Sequence, residues 1–403
     1  MMPSIEAGSP FLQKACQLQG ELTAWRRDFH RHPELGFEEE RTAAIVADHL
    51  ESLGLEVKRG VGKTGVVGLL RGKEPGPCIG IRADMDALPI QDQKEIAYRS
   101  TIPGKAHVCG HDAHTSILMG TAQFLSQQAK IARGSVKFIF QPAEEGLGGA
   151  EVMIQDGVLQ DPPVDAIIGL HVNTTIPTGR ITLVKGVGCA AADEILIRII
   201  GKGGHAAQPH QAVDSVSVTA EVLSALQHIV SRQMDPLESA VITIGKIQGG
   251  AAGNIIAPDV NMIGTVRTLN PLVREQMPER IEQVIKGVTT ALGADYEFTY
   301  NKGYPSIVND GVMVDRMKHT ATRVLGSDRY EMVKPTMGGE DFSYFTQQVP
   351  GVFFRLGVRN EAKQCTYPGH HPMFNLDEAA LPIGVALFSQ FVHDYLNQEE
   401  DLS

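Results

Sequence analysis

An α/β fold, interrupted by a smaller βαββαβ block, is what this sequence predicts. Three observations carry the prediction. In the first half of the chain, short apolar runs of strand type alternate with helical patterns. Acidic residues and histidines stand at the ends of those runs, where ligands bind in open α/β sheets. Near residue 188 the pattern changes, and the next stretch reads strand, helix, strand, strand, helix, strand.

The elements follow in order. Residues 11–53 read as helix. "LQKACQLQGELTAWRRDFHRHPEL" keeps helical spacing of apolar residues until Pro33. "EEERTAAIVADHLESLGL" resumes it and stops at the cap residue Gly54. "TGVVGLLRG" and "CIGIRADMDALP" read as strands, the second ending in Asp84 and Asp86. A helix is expected over 114–129. "SVKFIFQPAEEG" is a strand that runs into Glu144 and Glu145, and "VDAIIGLHV" is one that ends in His171. Separate strands thus bring these residues to one end of a sheet, with the 107–114 loop between two of them. From 189 the alternating "DEILIRII" begins the second block, followed by a helix over about 211–232. The strands "SAVITIGKIQGG" and "DVNMIGTVRTL", a helix over 271–292 and "ADYEFTYNKG" complete it. The ferredoxin-like order places an inserted domain at 189–301, between the 1–188 and 302–403 parts of the first.

Composition narrows the function. The 403 residues are 42% hydrophobic and 21% charged, ordinary for a globular chain of two domains. A net charge of -11 without a basic run argues against nucleic acid and anionic membrane as partners. Five widely spaced cysteines do not make a disulfide framework, which points to a reducing compartment. The N-terminal stretch lacks an apolar signal core, and no apolar run approaches the roughly 20 residues of a membrane span. The expectation is a cytoplasmic protein.

The chemistry concentrates in "HVCGHDAHTS" at 107–116. Polar groups buried without partners cost several kcal/mol, so packing does not explain such a cluster. Cys109, His111, Glu144, Glu145, His171 and either His370 or His371 together supply what two divalent ions need, with a carboxylate or water to bridge them. Adjacent glutamates on an irregular segment can divide the work, one binding metal and one carrying a proton. Other motifs carry less. "GVGKTG" at 60–65 is not a phosphate loop, since Val57 stands where the first glycine is required and a strand follows. "GKGGHAAQPH" with His205, "GGAAGN" with Asn254 and "TVRTL" with Arg267 read by themselves as loop and surface features. "HRHPELGFEEERT" at 30–42 reads as a structural turn whose histidines are not ligands.

The motifs "RADMDALP", "HVCGHDAH", "FQPAEEG", "GLHV", "GKGGHAAQPH", "MGGEDFSYF" and "HHPMFNLDE", in this order, resemble the amidohydrolase branch of the aminoacylase and carboxypeptidase metallopeptidases. That branch includes hippurate hydrolases, N-acyl-amino-acid amidohydrolases and auxin-conjugate hydrolases. The resemblance implies a two-metal, aminopeptidase-like catalytic domain with an inserted lid and dimerisation domain. It implies Cys109, His111, Glu145, His171 and His370 as ligands, His370 rather than His371 because the family histidine stands two positions before a proline, here Pro372. It implies Glu144 as general base and Asp86 as the acid that orients the site. Asp84 stands where the wider family has a ligand histidine and is not expected to bind metal. His205, Asn254 and Arg267 match lid residues that meet substrate. The expected reaction is hydrolysis of an N-acyl amino acid by a homodimer that binds zinc or manganese, with cobalt and nickel also admitted. A dipeptidase or carboxypeptidase, or a non-catalytic metal-binding protein, are the alternatives.

Overall fold

The structure, a computed structural model, describes residues 9–127 and 131–397. The chain forms two compact units. One holds the described residues up to Gly186, then Val308–Lys334 and the described residues from Asp341 on; the other holds Val187–Ile307 and Pro335–Glu340.

The larger unit is built on an eight-stranded sheet. Its order is Glu56–Val61, Gly65–Arg71, Arg133–Gln141, Glu74–Asp84, Ala166–Pro177, Gly351–Arg359, Ile181–Leu183 and Tyr330–Met332. Glu74–Asp84 runs parallel to both its neighbours, and Gly351–Arg359 runs parallel to Ala166–Pro177. Central parallel strands are covered on both faces and so read as continuous apolar runs. Val136, Phe138, Ile139 and Phe140 are all fully buried, as "VKFIF" requires. Helices Gln19–Arg31, His111–Gln127 and Leu381–Asn397 pack together, joining Leu22, Phe29, Ile117, Phe388 and Phe391 in one core. The first helical region breaks into Pro10–Cys16, Gln19–Arg31 and Glu40–Ser52.

Three sequence expectations shift. The helix expected over 114–129 starts earlier, at His111, and its last two positions lie outside the described residues. His171 does not end its strand. The β-branched residues after it continue to Pro177, paired with Gly351–Arg359 through Val172 and Asn173. Glu56–Val61 adds a strand that no sequence pattern announces, because it is a mostly exposed edge whose charged "EVKRGV" lacks a buried face.

The smaller unit is a four-stranded antiparallel sheet in the order Ala240–Gly249, Asp259–Thr268, Ala191–Ile200, Asp295–Tyr304. Numbered along the chain this is 2-3-1-4, the ferredoxin-like arrangement. Alternate residues Ile195, Ile197 and Ile199 pack against Val222 and Leu226 of helix Ser215–His228 and Met277, Ile281 and Ile285 of helix Pro271–Leu292. The first of these helices begins at 215, later than its pattern suggests, because Asp214 accepts the Val216 and Ser217 N–H groups as an N-cap. The last strand stays paired as far as Tyr304 opposite Ala192, and the unit's main segment spans Val187–Ile307. Pro335–Glu340 also groups with it.

Candidate metal centre

In the larger unit the chain gathers its metal-binding atom types at the C-terminal ends of the parallel strands. Cys109 Sγ lies 3.2 Å from His171 Nε2. Ligand atoms of Cys109, His111 and His171 all fall within 4.8 Å of one another. A second group of the same tightness joins Cys109 to Glu145 and His370, with His370 Nε2 3.1 Å from Glu145 Oε1. Cys109 belongs to both. A third group joins His111 to Glu144 and Glu145.

The local chain explains the placement. Gly110, between two of these residues, has φ +102, and a Cβ there would collide with Val172 Cγ2. Only glycine turns the chain here so that Cys109 and His111 serve one cavity. Glu144 and Glu145 sit on a short helical turn that is broken at Glu145 and Gly146. Ala143 enters it in the left-handed region, at φ 55. Asp86 holds the turn with both oxygens, Oδ1 accepting the Glu144 N–H and Oδ2 the Glu145 N–H, each at 3.0 Å. His370 is also left-handed, at φ 64, and is held there by its N–H to the Val108 carbonyl at 2.7 Å. Non-glycine residues forced into this region cluster at functional sites.

The donor set fits divalent cations. His111 donates Nδ1–H to the Asp86 carbonyl at 2.9 Å, which leaves Nε2 as the lone-pair nitrogen, buried and without a hydrogen-bond partner. Such a group costs roughly 1–3 kcal/mol when left unsatisfied. His171 is fixed in the same sense, its Nδ1 donating to the Val172 carbonyl at 2.7 Å. A ring nitrogen pinned to a carbonyl with the other left open is how metal-binding imidazoles are oriented. Burial pushes the Cys109 thiol up to about 12, so a nearby cation is what would hold it as thiolate.

Neighbouring groups of similar chemistry are already satisfied. Asp84 accepts Arg82 Nη1 at 2.7 Å and His114 Nδ1 at 2.6 Å. Burial raises this carboxyl, but Arg82, His111 and His114 outweigh it and hold it well below the usual carboxylate range. His114 Nε2 accepts the Val172 N–H at 2.9 Å, so both its nitrogens are engaged. His371 Nδ1 accepts the Met373 N–H at 3.0 Å, and its ring stacks on Tyr367.

Sequence reasoning missed the buried layer next to this cluster. Asp112 Oδ2 binds Arg26 Nε at 2.9 Å and His30 Nδ1 at 2.7 Å, all three fully buried. Arg26 also reaches Glu378 at 3.3 Å. The available signal was Arg26 and His30, four apart on the inner face of a helix. Of the "HRHPELGFEEERT" histidines, His30 lies within helix Gln19–Arg31, buried against Asp112, and not in a turn.

The smaller unit brings two of its three predicted residues together. His205 pairs with Ile255 in a two-stranded ladder, and the Ala206 N–H donates to the Asn254 carbonyl at 3.1 Å. Both residues are exposed. Arg267 lies on the main sheet, between Val241 and Ala192, half-buried.

A parallel α/β unit that gathers thiol, imidazole and carboxylate donors at its strand ends is the arrangement of a metal-dependent hydrolase. Residues 80–394 match the Peptidase family M20/M25/M40, and the chain belongs to that family, a hydrolase acting on amide bonds. It is 43% identical to the Bacillus subtilis (strain 168) protein YhaA, named as an amidohydrolase, over 91% of this chain and 93% of that one. It is 46% identical to the N-acyl-L-amino acid amidohydrolase of Geobacillus stearothermophilus, over 73% of this chain and 79% of that one. Among solved structures, it resembles the Bacillus subtilis YXEP protein, described as a dinuclear metal-binding peptidase of family M20. The TM-score is 0.83 and the identity 35%, covering 95% of this chain and 99% of that one.

Proposed function

We propose that this protein hydrolyses the amide bond of N-acyl amino acids, giving a carboxylic acid and a free amino acid. The observation that carries the reading is the pair of donor groups sharing Cys109, with Glu144 beside them. Cys109, His111, Glu145, His171 and His370 would hold two divalent ions, zinc or manganese by the chemistry of these donors. The ions, when bound, polarise the amide carbonyl and acidify the attacking water. Glu144 takes the proton from that water and passes it to the leaving nitrogen, acting as base and then acid. Asp86 keeps the Glu144–Glu145 turn and the His111 tautomer in place, through its two carboxylate oxygens and its own carbonyl. The similarity to an N-acyl-L-amino acid amidohydrolase supports the substrate class.

A panel of N-acyl amino acids and dipeptides, assayed with metal-loaded enzyme before and after chelator treatment, tests this. Acylated amino acids with a free α-carboxylate are turned over fastest, and chelation removes the activity. Preference for dipeptides would make the protein a dipeptidase, and no turnover of either would make it a metal-binding protein.

The proposal extends to the smaller unit. Asn254 and Arg267 bind the substrate carboxylate, a role suited to guanidinium geometry, and His205 donates to the developing oxyanion. Strand Ala240–Gly249 is an open edge with exposed Val241 and Ile247, a feature that invites pairing with a second copy. In a homodimer formed this way, His205 serves the partner's site. Mixing inactive His205→Ala and Glu144→Gln subunits under exchange then restores about a quarter of wild-type activity, because half the dimers carry one intact site. Zero recovery would place His205 in its own subunit's chemistry or outside it.

A further inference from the structure

The acidic run "GFEEERT" contains one residue that is not a surface charge. Glu39 is fully buried in the larger unit. Its Oε1 accepts the Ala143 N–H at 2.9 Å, and its Oε2 accepts the Thr64 hydroxyl. Ala143 immediately precedes the Glu144–Glu145 turn. Asp86 takes the next two N–H groups, those of Glu144 and Glu145. Three successive backbone donors are therefore each held by a buried carboxylate, one from Glu39 and two from Asp86.

The segments that carry the two carboxylates are themselves tied together. The Ala87 N–H donates to the Glu34 carbonyl at 2.8 Å, and Leu35 and Ala87 form a parallel bridge. Glu34 in turn caps the helix that follows Glu39, accepting the Arg41 and Thr42 N–H groups at 2.9 and 2.8 Å. The 34–42 segment is thus fixed to the strand-end loop of Asp86 through Glu34 and Leu35, and to the entry of the glutamate turn through Glu39.

Ala143 needs such a hold. At φ 55 it lies in a conformation that costs a non-glycine residue of order 1–3 kcal/mol. Gly149 packs so closely on the Pro142 carbonyl that a Cβ there would collide with it, which closes the turn from the other side. If the Ala143 N–H loses its acceptor, the left-handed residue can relax and the backbone leading into Glu144 moves. Asp86 still holds the Glu144 and Glu145 N–H groups, so the change falls on the approach at Ala143 and with it on the direction of the Glu144 side chain.

We infer that Glu39 is a positioning residue for the proposed base: it locks the left-handed Ala143 and so aims the Glu144 carboxylate at the reacting water. The inference rests on the base assignment of Glu144. Burial pushes the Glu39 carboxyl up to about 7, against the hydrogen bonds from Thr64 and Ala143, which favour the carboxylate.

The test compares three variants of the metal-loaded enzyme by kcat, KM, metal content and thermal midpoint, with Glu144→Gln in the same assay. Glu39→Ala removes both hydrogen bonds. Its kcat falls by about 10–100-fold, the scale expected of a small misplacement of a catalytic group, while KM and the two metals per subunit are kept. Glu39→Gln can still accept from Ala143 with its oxygen and donate to Thr64 with its nitrogen, and keeps kcat close to wild type. Glu39→Asp keeps the charge but draws the oxygens back by one methylene, and loses kcat as the alanine variant does. This last variant decides the matter if Glu39→Ala does not fold. Wild-type kcat in Glu39→Asp, or equal loss in Glu39→Gln and Glu39→Ala, overturns the inference. A lower midpoint with unchanged kcat makes Glu39 purely structural and overturns it too. If Glu144→Gln itself turns over normally, the base assignment has failed and the inference falls with it. If Glu144→Gln is dead and Glu39→Asp is unaffected, only the positioning role has failed.

Discussion

Glu144→Gln keeps its metal and loses turnover, with kcat down by about 10²–10⁴-fold and KM little changed. The amide has nearly the shape of the carboxylate, and the backbone N–H of residue 144 still reaches Asp86 Oδ1. The pinned geometry of the turn is therefore retained. What is lost is the ability to accept a proton and return it to the leaving nitrogen. The loss falls on kcat because that interaction is made only along the reaction path. Metal analysis after dialysis, beside steady-state kinetics, separates two ways of being wrong. Glu144 also lies in a donor group with His111 and Glu145. A variant that loses metal makes Glu144 a ligand, and one that turns over at the wild-type rate removes it from the chemistry.

How far the sequence could be read follows from what each residue depends on. The inserted block was legible because a strand with one buried face alternates, and Ile195, Ile197 and Ile199 write that alternation directly. The parallel strands were legible as unbroken apolar runs. Edge strand Glu56–Val61 was not, since an exposed edge has no apolar face to announce it. In the site, Cys109, His111, Glu144, Glu145 and His171 stood out because they follow strands or open a helix. His370 could be told from His371 only by resemblance, and geometry then distinguishes the two rings. His370 lies against Glu145, whereas His371 is occupied by the Met373 N–H. The residues that hold the site were the least legible. Glu39 was read only as part of a structural turn, Asp112 only as one member of the "HVCGHDAHTS" cluster, and Arg26 was given no role. Burial of a charge depends on partners far away in the chain, here Ala143, Thr64 and Glu378, and no local pattern carries that information.

Cys109→Ser should weaken metal binding more than loss of His171 or His370, because Cys109 links the His111–His171 group to the Glu145–His370 group. Removing His370 touches only the group that pairs it with Cys109 and Glu145, and removing His171 touches only the other. A serine hydroxyl has the right size but stays protonated and neutral, and is a far poorer donor than a thiolate to zinc-like ions. Changes to groups that merely orient a ligand already cost 10–100-fold in metal affinity, so loss of a shared ligand should weaken binding by more than about 100-fold. Fold is not at risk, since residue 109 stands in a loop whose shape is set by Gly110 and by the His370 N–H on the Val108 carbonyl, neither of which uses the thiol. Metal content after dialysis against graded chelator measures the effect, with the thermal midpoint of the metal-free protein as control. Occupancy of both positions should fall together. If one metal is lost and the other kept at wild-type affinity, Cys109 is not shared. If both are kept, it is a packing residue beside the site.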